Sequence, residues 1–227
     1  MAEYLTDDEE LEKFKRWWKE SGQQLLLLIV IAAGGYYGWQ FWQDRQQTKA
    51  EAGFRVYQQL LEVAQAEGSG KSVEEQQQLT HLAVKLKEEQ SGSQYAYFAS
   101  LTLARQAVEN QDYQLAAREL NNVIDNADPG LAAIARLRLA YVEAEQSGPD
   151  DALSVLEADV PEQFSASYEE ARGDFYLLKG ETEAARDAYL RALSQLDESA
   201  QQKRGILSLK LNQVAPVTPA KAQEGNS

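Results

Sequence analysis

The hydrophobic positions of this chain follow two patterns, one continuous and one periodic. From Leu25 to Trp42, eighteen consecutive residues carry no charge, and Gln40 is the one strongly polar side chain among them. A helix rises ~1.5 Å per residue, so this run is ~27 Å long, close to the roughly 30 Å hydrocarbon core of a bilayer. The pattern predicts a single transmembrane helix over residues 24–43.

The tryptophans favour the same interpretation. All four Trp of the chain lie near the ends of the apolar run, Trp17 and Trp18 before it and Trp39 and Trp42 at its end. Trp prefers the membrane–water interface, so these two pairs are typical of the aromatic belts of a membrane span. A buried core helix is the alternative, but such a fold would distribute Trp through the rest of the chain.

A cleaved signal peptide would place the same apolar run in a soluble protein. The charged region of such a peptide is short and basic, whereas 24 residues precede this run and seven of them are acidic. We therefore expect an uncleaved signal anchor with residues 1–23 before it. The basic residues near the anchor number four before it and three after it: Lys13, Lys15, Arg16 and Lys19, then Arg45, Lys49 and Arg55. This small excess favours a cytoplasmic N-terminus and a C-terminal domain outside the cytoplasm.

Two glycines mark one face of the predicted span. Gly34 and Gly38 lie one helical turn apart, the spacing that permits close helix–helix contact in a bilayer, although many spans have this spacing by chance. We predict that this face contacts a partner helix. Trp39 and Trp42 are expected to set the depth of the outer end of the span.

Behind the span, residues 44–213 contain three Pro and long runs of Ala, Leu, Glu, Gln and Arg, a composition typical of helices. Residues 173–193 resemble a tetratricopeptide repeat at five signature positions, and small residues recur about every 34 positions through the segment. These small residues are Ala104, Ala116, Ala140, Ala152, Gly173 and Ala185. They allow the two helices of a pair to approach closely.

The predicted fold is therefore all-α, a single transmembrane helix followed by a tetratricopeptide-like solenoid of about four helical hairpins. Residues 46–66 and 72–89 form a degenerate first hairpin, residues 199–211 a capping helix, and residues 214–227 a disordered tail. Unrelated Ala-rich hairpins remain the alternative, because the last repeat is the one strong match.

Composition excludes several classes of function. With 36 acidic and 22 basic residues the net charge is −14, so the chain has no basic patch for nucleic acid. The absence of Cys excludes disulfides and thiol chemistry, and the single His81 cannot build a multi-His metal site. We predict no catalytic, metal or cofactor site.

Several short motifs, together with this organisation, resemble the YfgM family of Gram-negative bacteria. The motifs are the Gly-Trp-x-aromatic-Trp exit of the span at residues 38–42 and the segments at residues 99–104, 137–140 and 172–174. The resemblance implies an ancillary subunit of the SecYEG translocon, anchored in the inner membrane with its repeat domain in the periplasm. It also implies a partnership with a membrane-anchored periplasmic chaperone of the PpiD type.

Solenoids of paired helices bind partners on the concave surface formed by the first helix of each pair. The repeat register predicts six residues on that surface: Phe98, Leu101, Arg105, Ile134, Leu137 and Tyr141. Three classes of function stay open at this point. They are a membrane-tethered adaptor or co-chaperone that holds a chaperone or an emerging chain, a self-associating envelope scaffold without a translocon role, and a hydrolase with paired carboxylates. The solvated positions of the acidic pairs disfavour the hydrolase.

Overall fold

The computed structural model describes residues 7–65, 72–197 and 199–215, and these residues form nine α-helices and no strand. In chain order the helices are α1 (Asp7–Gln65), α2 (Val73–Glu89), α3 (Gln94–Glu109), α4 (Tyr113–Asn126), α5 (Pro129–Gln146), α6 (Pro149–Val155), α7 (Glu162–Leu178), α8 (Thr182–Ser194) and α9 (Gln201–Gln213). The chain divides into two compact units, Met1–Ala52 and Gly53–Ser227. The predicted all-α fold is confirmed.

The first unit contains the larger part of α1. The aromatic side chains that the structure describes in this unit are exposed, including Trp39 and Trp42, and the ring centroids of Phe14, Trp17 and Trp18 lie within about 6.5 Å of one another. Within the described part of the chain, no helix has the combination of length and apolar character that a membrane crossing requires. The span predicted over residues 24–43 is therefore not confirmed and stays a prediction.

The second unit consists of helical pairs whose cores follow one another along the chain. Leu60, near the end of α1, packs on Leu79, Leu82 and Leu86 of α2. The next cores join α3 to α4 and α5, then α5 to α6 and α7, and finally α8 to α9. Because each core involves neighbouring helices alone, this is the packing expected of a short solenoid.

Short polar residues fix the starts of several helices. Ser72 and Glu75 form a capping box, in which the Glu75 backbone N–H donates to Ser72 Oγ at 3.2 Å and the Ser72 N–H donates to Glu75 Oε2 at 2.8 Å. Asp128 caps α5 through the N–H groups of Gly130 and Leu131, with a proline at the first helical position. These caps satisfy backbone donors that otherwise lack a partner at a helix start.

The six recurring small residues are all buried, as the repeat predicts. Gly173 shows why small size is needed, since a Cβ atom built there would lie 2.3 Å from the Tyr189 ring of α8. The pair α7 and α8 can approach this closely because Gly173 has no side chain.

The segments that flank the repeats have, for the most part, the structure that the sequence predicts. The helix predicted over residues 72–89 is α2, and the predicted capping helix is α9, which buries Leu207 against α8. Ile206 and Leu209 lie on the outer face of α9 and are 43% and 66% exposed, so they do not help to close the stack. His81 is exposed on α2. Residues 66–71 and 216–227 lie outside the described residues, and with them most of the predicted tail.

Candidate binding surface of the repeat helices

The first helices of three successive pairs, α3, α5 and α7, line a cleft of about 700 Å³, here called the large cleft. Its walls are mainly apolar and contain Leu101, Ala104 and Val108 from α3, Tyr141 and Ala144 from α5, and Phe175, Leu177 and Leu178 from α7. Its charged side chains are Arg105, Glu109, Arg138, Glu145 and Asp174. A concave, mostly apolar surface with a few polar groups is the usual form of a binding site.

A second cleft of about 270 Å³, here called the small cleft, lies between the end of α1, α2 and α3. It shares Leu101, Arg105, Glu109 and Arg138 with the large cleft, so the two form one continuous surface. Tyr57 and Phe98 stack with ring centroids 5.5 Å apart and form its aromatic wall.

Four of the six residues predicted on the concave surface line these clefts. Phe98 lies in the small cleft, Tyr141 in the large cleft, and Leu101 and Arg105 in both. Ile134 and Leu137 line neither cleft. Ile134 packs against the core of α3, α4 and α5, and Leu137 against the core of α5, α6 and α7.

A polar cluster closes the α7 side of the large cleft around Asp174. Its Oδ2 accepts a hydrogen bond from Tyr141 Oη at 2.9 Å, and its Oδ1 accepts one from Tyr189 Oη at 2.8 Å. Lys210 Nζ of α9 lies 2.7 Å from Asp174 Oδ1 and 2.8 Å from Glu170 Oε1. The cluster therefore joins α5, α7, α8 and α9.

This cluster shifts the acid–base properties of its members. The pKa values of the Tyr141 and Tyr189 phenols are raised, first by burial and then by the neighbouring Asp174 carboxylate. Burial of the Lys210 ammonium lowers its pKa, but the hydrogen bonds to Asp174 and Glu170 outweigh burial, so the pKa of Lys210 is raised overall. Both phenols are neutral and Lys210 is charged at neutral pH, so the cluster is stable there.

The two arginines of the clefts differ in their surroundings. Arg105 Nε donates to Glu109 Oε1 at 2.9 Å on the same helix. Arg138 lines both clefts and is exposed, and its pKa is lowered, first by partial burial and then by the positive charge of Arg105.

Several lining residues were not predicted from the sequence, namely Val108, Arg138, Asp174, Leu177 and Leu178. The repeat register contains the signal for most of them. Thirty-three residues after Tyr141 comes Asp174, and thirty-three after Ala144 comes Leu177, so continuing the register into the last repeat identifies the α7 wall. Val108 lies one turn after Arg105 on the same face of α3.

In the first unit, a Cβ atom built at Gly34 or Gly38 would have no heavy atom within 4 Å, so the glycine face is open. Trp39 and Trp42 are exposed beyond it. Throughout the described ranges, no group of three or more His, Cys, Asp or Glu side chains is arranged to hold a metal ion.

Paired helices around successive cores, with one continuous cleft along their first helices, define a helical-repeat protein. The tetratricopeptide repeat-like domain family matches residues 15–216. The chain belongs to this family, and its resemblance to the YfgM family is confirmed by its relatives.

Relatives from several bacteria carry the name ancillary SecYEG translocon subunit. The Haemophilus influenzae protein is 29% identical over 93% of this chain and 99% of its own length. The Aggregatibacter actinomycetemcomitans protein is 31% identical over 94% and 98%, and the Escherichia coli protein 28% over 92% and 100%. No solved structure matches the chain.

Proposed function

We propose that this chain is a non-catalytic adaptor associated with the Sec translocon. The observation that carries the proposal is the alignment with relatives named ancillary SecYEG translocon subunits over 92–94% of this chain and 98–100% of theirs. An alignment of nearly full length includes the N-terminal segment as well as the repeats. The alignment therefore extends over both units of the chain.

The membrane anchor in this proposal is the segment 24–43, in the inner membrane, with residues 1–23 in the cytoplasm and the repeat domain 44–213 in the periplasm. Its support is the uncharged run from Leu25 to Trp42, the flanking Trp pairs and the excess of Lys and Arg before the run. The lipid bilayer is then one partner of the protein.

The large cleft supports the adaptor role. Val108, Leu177 and Leu178 expose apolar surface within this one cleft, at 40%, 37% and 68%, and contiguous exposed apolar surface is typical of an interaction site. A surface of this kind suits a segment of a PpiD-type chaperone or an emerging secretory chain. The carboxylates of Asp174 and Glu109 are held by Lys210 and Arg105, so neither is a free general base.

Co-purification tests the proposal directly. The affinity-tagged full chain is isolated from detergent-solubilised membranes, and SecY and the chaperone are quantified in the eluate. We expect both to be retained. Leu178→Asp should reduce recovery of the chaperone at least fivefold, because it places a charge on the apolar wall of the large cleft.

Leu209→Asp is the matched control, because Leu209 is 66% exposed on α9, close to the 68% of Leu178, and lines neither cleft. Equal recovery with both variants would contradict a role of the cleft. Recovery of neither SecY nor the chaperone with the native chain would contradict the translocon role.

A self-associating envelope scaffold is the second candidate, and the open face at Gly34 and Gly38 favours it. Crosslinking from this face in membranes separates the two functions. A homodimer as the main adduct supports the scaffold, and a translocon or chaperone adduct supports the adaptor.

A further inference from the structure

The concave surface contains one cation that the fold does not neutralise. Arg138 lies in the middle of α5, and its guanidinium has no hydrogen-bond or ion-pair partner within the described part of the chain. Two pairs of neighbouring charges neutralise each other, since Arg105 bonds to Glu109 at 2.9 Å and Asp174 bonds to Lys210 at 2.7 Å. Arg138 therefore has its five N–H donors available.

Arg138 lies between two apolar parts of the concave surface. Arg138 lines both the large and the small cleft and so lies where they join. On one side is the aromatic wall of Tyr57 and Phe98, and on the other the apolar wall with Val108 and Leu177. The Arg105–Glu109 ion pair also lines both clefts, so Arg138 is the charge at this junction that has no partner in the described part of the chain.

The surroundings of Arg138 also make an unpaired guanidinium unfavourable. Arg105 is close enough to lower the pKa of Arg138, as does its partial burial. Glu145, the acidic residue of α5 in the large cleft, lies seven residues further on, ~10.5 Å along the helix axis, and forms no ion pair with Arg138. A carboxylate supplied from outside would relieve the repulsion and accept two parallel hydrogen bonds from the guanidinium.

We propose that Arg138 binds the carboxylate of an acidic side chain in a partner segment whose flanking residues are apolar and occupy the two clefts. This proposal rests on the adaptor role and specifies the kind of segment the groove accepts. Charge complementarity determines which residue of the segment sits at the junction, and the apolar walls bind the residues on either side of it.

Peptide binding tests the proposal without the translocon. The full chain in lipid nanodiscs is titrated into three fluorescent peptides of Leu and Ala that differ in the central residue, glutamate, glutamine or lysine. We expect the glutamate peptide to bind about tenfold more tightly than the glutamine peptide, equivalent to about 1.4 kcal/mol. Empty nanodiscs correct for partition of the peptides into lipid.

Substitutions at Arg138 test whether this side chain causes the preference for the glutamate peptide. Arg138→Gln should bind the glutamate and glutamine peptides equally, and Arg138→Glu should prefer the lysine peptide. Arg118→Gln is the matched control, because Arg118 is an exposed arginine of α4 that lines neither cleft. This control should keep the tenfold preference.

The outcomes separate this inference from the proposed function. If Arg138→Gln keeps the glutamate preference, or if no peptide binds the native chain, the inference is wrong, whereas co-purification with SecY would still support the adaptor. A native dimer that dissociates with Arg138→Gln would assign the groove to a second copy and also overturn the inference. Unchanged thermal unfolding of the variants confirms that they are folded.

Discussion

At the scale of single residues, Gly173 is the position where side-chain size matters most clearly. A methyl group there would lie 2.3 Å from the Tyr189 ring, which is 1% exposed and bonded through Oη to Asp174, so the ring has little room to move. We expect Gly173→Ala to lower the free energy of unfolding by roughly 1–3 kcal/mol through overpacking. Urea unfolding of the purified protein measures this change.

Gly205 provides the comparison, because it is also helical but a Cβ atom there would meet nothing within 4 Å. Gly205→Ala should stabilise the protein by up to about 1 kcal/mol through helix propensity. Equal effects of the two substitutions would show that Gly173 does not lie at the contact of α7 and α8.

Gln111 is a second residue whose backbone conformation affects the free energy of unfolding. It follows α3 with φ of 61°, and it is the one non-glycine residue with positive φ in the described part of the chain. The turns after α5 and α7 place Gly148 and Gly180 in this region, where a Cβ atom is disfavoured. Gln111→Gly should therefore raise the free energy of unfolding by about 1 kcal/mol, measured by urea unfolding. A loss of stability would show that the Gln111 side chain makes a contact that outweighs the backbone strain.

At the scale of elements, the Asp174 cluster holds four helices together and makes the packing sensitive to alkaline pH. The pKa values of Tyr141, Tyr189 and Lys210 are raised in the folded state. A raised pKa contributes stability that is complete below the unfolded value, about 10 for Tyr and 10.4 for Lys, and that is lost as pH rises through the folded value. The native protein should therefore lose stability above about pH 10.

The double variant Tyr141→Phe, Tyr189→Phe tests the origin of this loss. It removes two hydrogen bonds to Asp174, so its stability at neutral pH should be lower than that of the native chain. The further loss between neutral pH and about pH 11 should be smaller than in the native chain, because two of the titrating groups are gone. Unfolding by urea at both pH values gives the comparison, and an unchanged alkaline loss would contradict the assignment.

The sequence predicts the helices better than it predicts which residues line the two clefts. Local signals were sufficient for α2 and for the buried small residues, because capping residues and close helix contacts leave a periodic pattern. The register alone could not separate Ile134 and Leu137, which pack into cores, from Tyr141, which faces the large cleft. That difference depends on which neighbouring helices cover each side of α5, and those contacts join residues that are distant in the sequence.

At the scale of the whole molecule, the direction of insertion follows from charges near the proposed anchor. Lys13, Lys15, Arg16 and Lys19 precede it and oppose translocation of the N-terminus. Alkaline phosphatase fused after Leu211 should therefore be active, since this enzyme requires the periplasm, and β-galactosidase fused there should be inactive. The reverse result would place the repeat domain in the cytoplasm.

The glycine face of the proposed anchor connects membrane packing with the choice of partner. Helices associate in lipid through close backbone approach, because lipid provides little hydrophobic driving force between them. Gly34 and Gly38 leave such an approach open, since a Cβ atom at either would meet no heavy atom within 4 Å. Replacing both with Leu keeps the segment apolar, so membrane levels should not change, while the added side chains separate a partner helix from the backbone.

If the anchor contacts the translocon or the chaperone through this face, Gly34→Leu with Gly38→Leu should abolish co-purification of that partner. The repeat domain should unfold at an unchanged temperature, because both substitutions lie in the first unit. Ala32→Leu with Ala33→Leu is the control, since it adds similar volume to the same segment without altering the glycines. Full retention of the partner by the glycine variant would exclude this face and leave the clefts of the repeat domain, beginning with Leu178 and Arg138, as the contact to test.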